Sequence, residues 1–191
     1  MNKPSSIAID LGCGRSKRPG SFGVDLVPLA GVDLVADFGE RLPLAGSSID
    51  LIHCNHVLEH FENPIPLLAE IHRVLKPQGQ AKIAVPHWSN PYYYSDITHR
   101  SLWGYYSFDY LEPQALQKSL VRKVPDYYVD FHFEIVQKEM VFWELYDMKR
   151  RHWRSLQRWL NARPSNQEFY ERHLAAIVGC SELRVTLRPL K

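Results

Sequence analysis

The stretch Ile7-Ala8-Ile9-Asp10-Leu11-Gly12-Cys13-Gly14 decides the fold. Its apolar opening reads as a buried strand that runs into a tight loop. The two glycines let main chain approach a ligand closely, because no Cβ stands in the way. A dinucleotide fingerprint would place a third glycine three residues on, and that position is Lys17. Asp10, just ahead of the glycines, would repel a pyrophosphate and suits a cationic amino group instead.

Outward from this loop, Phe22 to Leu26 and Val32 to Asp37 read as two more short strands, each closing on an acid, and Ile49 to Cys54 as a fourth. Asn63 and Pro64 have the chemistry of a helix start, and Ile65, Leu68, Ile71 and Leu75 recur at helical spacing. Lys76-Pro77-Gln78-Gly79 is expected to stop that helix, with Ala81 to Val85 as a fifth strand closed by Pro86. Strands alternating with helices imply a parallel sheet covered on both faces, with the ligand at the carboxyl ends of the strands. Residues 88–125 are rich in Tyr, Trp, His and Ser with weak periodicity, and read as a loop-and-helix lid rather than core. Phe131 to Val136 alternates as a half-buried strand does. Leu145, Met148, Trp153, Leu156, Trp159 and Leu160 mark one side of a helix. Ser165 and Glu168 form a capping box for a last helix ending at Gly179, and Leu183 to Leu187 is a final strand.

Asp10-Leu-Gly-Cys-Gly14, Asp25 ending the second strand, Asp37 ending the third and Ile49-Asp-Leu-Ile52 in the fourth together resemble the class I S-adenosylmethionine-dependent methyltransferases. Val57-Leu-Glu-His-Phe61 followed by Glu70-Ile-His-Arg-Val-Leu-Lys-Pro-Gln-Gly79 is similar to the helix and turn of that family's small-molecule branch. The resemblance covers about residues 5 to 87. It implies an α/β, Rossmann-like, mostly parallel sheet with an antiparallel last strand, S-adenosylmethionine as cofactor, and methyl transfer as the activity. It also implies that Gly12, Cys13 and Gly14 approach the methionine and ribose, with Asp10 near the amino group. Asp25 would take the ribose hydroxyls, with Leu26 beside it. Asp37 would take the adenine amine with Phe38 beside the ring, while Asn55 and His56 would border cofactor and acceptor.

The chain departs from the family between Arg15 and Ser21, too short a stretch for the usual crossover helix. The first helix is expected to be reduced, with Lys17 and Arg18 meeting the methionine carboxylate in its place. A helical insertion is expected before the last strand. One domain then spans 1–191, with a cofactor-binding half at 1–87, the lid and acceptor region at 88–125, and C-terminal strands with the insertion at 126–191.

Methyl transfer to a hydroxyl needs an aligned nucleophile and a base for its proton. His87 follows the fifth strand and is the base candidate, His99 the second, with Asp96 able to orient either ring. The same three residues are also of a kind that could hold the lid together or bind a divalent ion. His56-Val-Leu-Glu-His60 matches an inverted zinc-peptidase pattern, but the methyltransferase context accounts for the same residues, so no metal is assigned. Asn90-Pro-Tyr-Tyr93 resembles the tetrapeptide of nucleic-acid amino-methyltransferases, but it follows the wrong strand. Lys149, Arg150, Arg151, Arg154 and Arg158 make a basic helix face, read as solvated.

A net charge of +2 gives no argument for nucleic acid or membrane, and no apolar run approaches the roughly 20 residues that span a bilayer. Three scattered cysteines suggest no disulfide framework, and the N-terminus shows no apolar leader, so the expectation is a soluble cytoplasmic protein. The expected acceptor is a small molecule with an oxygen or nitrogen nucleophile. A nucleic-acid or protein methyltransferase and a non-catalytic cofactor-binding protein are the alternatives.

Overall fold

The computed structural model describes residues 6–142 and 151–191, and the side chains of α2 from Arg154 on. Seven strands form one sheet in the order β3-β2-β1-β4-β5-β7-β6. They are β1 (Ala8–Leu11), β2 (Phe22–Asp25), β3 (Leu34–Val35), β4 (Ile49–Asn55), β5 (Leu75–Pro86), β6 (His132–Val141) and β7 (Glu182–Leu190). The pairs from β3 to β5 are all parallel, and β7 runs antiparallel to both β5 and β6. The helices are α1 (Ile65–Val74), α2 (Arg151–Leu160) and α3 (Pro164–His173). The last two form the helical insertion expected between β6 and β7. Of the residues expected on the insertion's helix, Leu145, Met148, Lys149 and Arg150 lie outside the described residues.

The expectation of a sheet covered on both faces is corrected. Between β1 and β4 the crossovers are loops, and α1 is the one helix before β6 among the described residues. The strands accordingly alternate. On β7, Leu183, Val185 and Leu187 are buried while Arg184, Thr186 and Arg188 are not. The second face carries His53, Lys82, Gln137, Glu139, Arg184 and Thr186, which with Arg18 and others line an open groove of about 500 Å³. Antiparallel strands tolerate one wet face, and β7 brings that property to an otherwise parallel sheet.

Local chemistry explains where the elements begin and end. Asn63 Oδ1 accepts the Ile65 N–H at 3.1 Å, and Leu67, Leu68, Ile71 and Val74 turn one stripe of α1 inward. The helix stops at Val74, before the residues expected to break it. Lys76 to Gly79 instead form an irregularity inside β5, between the pairs Ile49 with Leu75 and Leu51 with Gln80. A Cβ on Gly79 would stand 2.8 Å from the Ile49 carbonyl oxygen, so the bulge requires glycine there.

The segment expected to be a lid sends several side chains into the core. Trp103, Tyr105, Phe108, Leu111 and Val124 are all buried. Its backbone forms short 3-10 turns at Tyr93–Ser95 and Ser107–Leu111, too short to leave a helical period in the sequence. Buried charges fasten it to the C-terminal elements. Lys138 pairs with Asp109 and donates to the Tyr105 carbonyl at 2.8 Å. Burial pushes the lysine down and the aspartate up from their ordinary ranges. Glu112 accepts the Ile135 N–H at 2.7 Å. The capping box expected at Ser165 and Glu168 is also corrected. Helix α3 starts at Pro164 without a side-chain cap and ends at His173. Glu168, fully buried, accepts from the Ser119 hydroxyl, the Leu120 N–H at 3.2 Å, the Val121 N–H at 3.3 Å and the Tyr106 hydroxyl at 3.3 Å.

Glu168→Ala strands the buried Ser119 hydroxyl and loosens the other three donors, and should cost about 3 kcal/mol. Urea denaturation of the variant checks this, and a midpoint equal to that of the parent would refute the fastening role.

Candidate active site

The strand order reverses between β1 and β4, and at such a switch point the carboxyl ends of neighbouring strands open into a crevice. β1 delivers the glycine loop there. The Gly12 N–H donates to the Val24 carbonyl at 2.8 Å, folding the loop back over β2. Both loop glycines have positive φ, +66° at Gly12 and +52° at Gly14. A Cβ on Gly12 would stand 2.2 Å from Val57 Cγ2, so this glycine is a packing requirement. A Cβ on Gly14 would meet nothing within 4 Å, so that side of the loop faces open space.

Asp25 and Asp10 both bond to this loop. Asp25, ending β2, accepts the Gly14 N–H at 2.8 Å and the Val27 N–H at 3.0 Å, with Leu26 exposed between them. Asp10 is buried and accepts the Arg18 N–H at 2.8 Å, closing the short loop in place of a helix. Asp37 is exposed and makes a local turn to the Gly39 N–H at 2.7 Å. Phe38 is buried in the main apolar cluster. Cys13 is buried too, and burial, followed by Asp25 and Asp10, pushes its thiol up.

Lys17 does not face the crevice alone. Its ammonium pairs with Asp33 at 2.7 Å, and that carboxylate also accepts the Gly23 N–H at 2.7 Å. The Lys17 bond and then the Gly23 bond hold Asp33 below the usual carboxylate range. Arg18 is the cation turned the other way. With its amide oxygen facing Arg18, Asn55 accepts from the guanidinium Nε at 3.2 Å. His56, next along, has φ +53° and lies 2.6 Å from Glu182 and 3.2 Å from Glu59. Glu182 first and Glu59 second raise its imidazole to about 9, against the opposing effect of burial. Glu182 lies on the distant strand β7, and no local signal marks it in the sequence.

His87 and His99 are not brought together. His87 is 0% exposed, with Nδ1 at 2.8 Å from Ser89 Oγ and Nε2 at 2.9 Å from Glu171 Oε2. Both ring nitrogens are engaged and the ring is sealed from solvent, which makes it a strut between the end of β5 and α3. His99 instead meets His60 edge to face, with ring centroids 5.0 Å apart, and its Nε2 is 3.7 Å from Asp96 Oδ2. Asn90 ties the segment to the Ser181 carbonyl at 2.9 Å, and buried Tyr93 donates to the Ser101 carbonyl at 2.9 Å. The tetrapeptide thus serves as scaffold. An apolar groove of about 450 Å³ lies between the first turn of α1 and residues 101–129, lined among others by Ile65, Leu68, Leu102, Trp103 and Tyr128.

Comparison with known proteins bears on the fold. Residues 16–83 match the family model described as a methyltransferase domain. A solved S-adenosylmethionine-dependent methyltransferase from Archaeoglobus fulgidus is 16% identical, with a TM-score of 0.60 over 97% of this chain and 87% of that one. A chain in the complex of the Haloferax volcanii Trm112 methyltransferase activator is 16% identical, with a TM-score of 0.53 over 99% of this chain and 86% of that one. A curated relative, an uncharacterized 37.1 kDa protein in transposon TN4556 of Streptomyces fradiae, is 29% identical over 46% of this chain. The match spans about a third of that relative's length, 32%. Sheet order, structural likeness and family match place the chain in the class I S-adenosylmethionine-dependent methyltransferase fold.

The two glycines should respond differently to alanine. Gly12→Ala combines a left-handed backbone with a clash on Val57 and should cost roughly 3 kcal/mol. Gly14→Ala carries only the backbone strain, about 1 kcal/mol. Paired urea melts decide, and equal losses would remove the packing argument for Gly12.

Proposed function

We propose that this chain, built on the class I methyltransferase fold, binds S-adenosylmethionine in the crevice between β1 and β4 and transfers its methyl group to a small-molecule oxygen or nitrogen. The carrying observation is the pairing of an open-sided Gly14 with the Asp25 carboxylate 2.8 Å from its N–H. A glycine cradle beside a strand-end carboxylate is an arrangement that a ribose diol fits, since one carboxylate can accept from two hydroxyls. Bound S-adenosylmethionine supplies an electrophilic methyl on a sulfonium centre. Asp25 would hold the ribose and Gly14 would admit it to the backbone. Arg18, steadied by Asn55, would meet the amino acid carboxylate, a role that Lys17 gives up to Asp33. Asp10 would act from beneath by holding the Arg18 backbone in place.

The acceptor would enter from the side of residues 88–130, where the apolar groove fits the body of a hydrophobic small molecule. In-line displacement moves the methyl to the acceptor atom, leaves S-adenosylhomocysteine and releases the acceptor's proton. Such alignment needs a rigid wall, and the buried charges that fasten residues 103–124 supply one. Among the described residues no helix is long and apolar enough to cross a membrane.

Calorimetric titration with S-adenosylmethionine and S-adenosylhomocysteine should show micromolar binding of both. Asp25→Asn, which keeps an acceptor but loses the second charged bond, should weaken each by about tenfold, or 1.4 kcal/mol. No binding by the parent protein, or an unchanged affinity in the variant, would remove the proposal.

A further inference from the structure

The geometry points to a divalent-cation site formed by Glu59, His60 and His99 at the exit of β4. One potential ligand atom from each of the three lies within 4.8 Å of the other two. Donors sharing one ion stand roughly 3 to 4 Å apart when the bonds are about 2.1 Å, so small side-chain rotations close the set.

Two observations beyond this proximity favour an ion. The first is Glu59 itself. Its side chain is 0% exposed; Oε1 pairs with His56 Nδ1 at 3.2 Å, and Oε2 has no hydrogen-bond partner. A buried carboxylate oxygen left without a partner is costly, and a cation bound there would satisfy it. The second is the orientation of the rings. His99 Nδ1–H donates to the Tyr93 carbonyl at 2.9 Å, which leaves its Nε2 with the lone pair. Thr98 Oγ1 donates to Asp96 Oδ1 at 2.5 Å and therefore accepts from His60 Nδ1–H at 2.9 Å, leaving Nε2 of that ring likewise. Imidazole held through Nδ1 by a carbonyl or a carboxylate relay is the arrangement that fixes a metal-binding tautomer. Each ring thus has one nitrogen held and the other left as an acceptor.

Two imidazoles and one carboxylate suit a first-row transition ion such as zinc or manganese, and three protein ligands leave positions open. Residues 99–103 supply both His99 and, through Ser101, Leu102 and Trp103, one wall of the apolar groove. The open positions would therefore hold an acceptor oxygen whose apolar body lies in that groove. This last role rests on the methyl-transfer reading, whereas ion binding does not.

The test titrates the full chain, first stripped with a chelator, with manganese chloride and with zinc chloride by calorimetry. One ion per chain should bind. His60→Ala and His99→Ala should each weaken it by roughly tenfold or more, and Thr98→Val, which only removes the relay, by about tenfold. His173→Ala, an exposed histidine outside the cluster, should leave binding unchanged. The double variant His60→Ala/His99→Ala keeps the buried Glu59 and guards against a folding failure in Glu59→Gln. Absence of binding for both ions, or binding that survives the double variant, overturns the site. A parallel titration with S-adenosylhomocysteine separates the two readings, since its failure alone would sink methyl transfer and leave the ion result standing.

Discussion

One carboxylate organises the C-terminal half of the molecule. Glu171 on α3 accepts from Trp88 Nε1 at 3.0 Å and the Tyr105 N–H at 3.2 Å, and its other oxygen lies 2.9 Å from His87 Nε2. Burial alone would raise this carboxyl, but the His87 and Trp88 bonds outweigh it and hold it below its ordinary range. Removing it would strand three polar groups in a region from which water is excluded, which is why the segment after β5 has a single place to go. Irregular chain can be core only when its backbone and polar groups find partners, and here α3 presents them.

That fastening makes a one-sided sheet workable. Residues 88–130 and α3 cover the apolar face, while α2 and α3 also protect the outer edge of β6. Asn161 takes the Met140 N–H and donates to its carbonyl, both at 2.8 Å, and Gln167 donates to the Lys138 carbonyl at 2.9 Å. An edge strand satisfied by side-chain amides has little left to offer another chain. Among the described residues no helix packs on the opposite face beside the loop after β1, which is held by Asp10, Asp25 and Asp33.

The parts legible in the sequence are those set by near neighbours. The loop after β1, the acids closing β2 and following β3, the stripe of α1 and the insertion before β7 all depend on residues a few positions apart. What escaped depends on distant partners. Lys17 reads as a free cation until Asp33 is folded against it, and His87 reads as a base until Glu171 and Ser89 occupy its ring. Ser165 and Glu168 have the spacing of a capping box, yet Glu168 contributes more by accepting bonds from residues 119–121 than by closing its own helix. Polarity on one face of β7 could equally mark an edge or an uncovered sheet, and only pairing with β5 decides. The candidate site divides the same way, with the crevice readable from the glycines and strand ends, and the Glu59, His60 and His99 cluster readable only in half.

His56 joins these two halves. Its positive φ turns the chain sharply out of β4, a strained conformation for a residue with a Cβ and one that surrounding contacts must hold. Glu182 supplies the hold, and it is itself kept below the usual range because the His56 and Arg184 interactions exceed the cost of burial. The turn places Asn55 on the crevice side, against Arg18, and Glu59 on the other, beneath His60. A methyl donor in the crevice and an acceptor held at the cluster would then be separated by one rigid turn, not by a hinge. Alignment of donor and acceptor would follow from the path of the backbone at a single residue, and the ion pair to β7 keeps that path from relaxing.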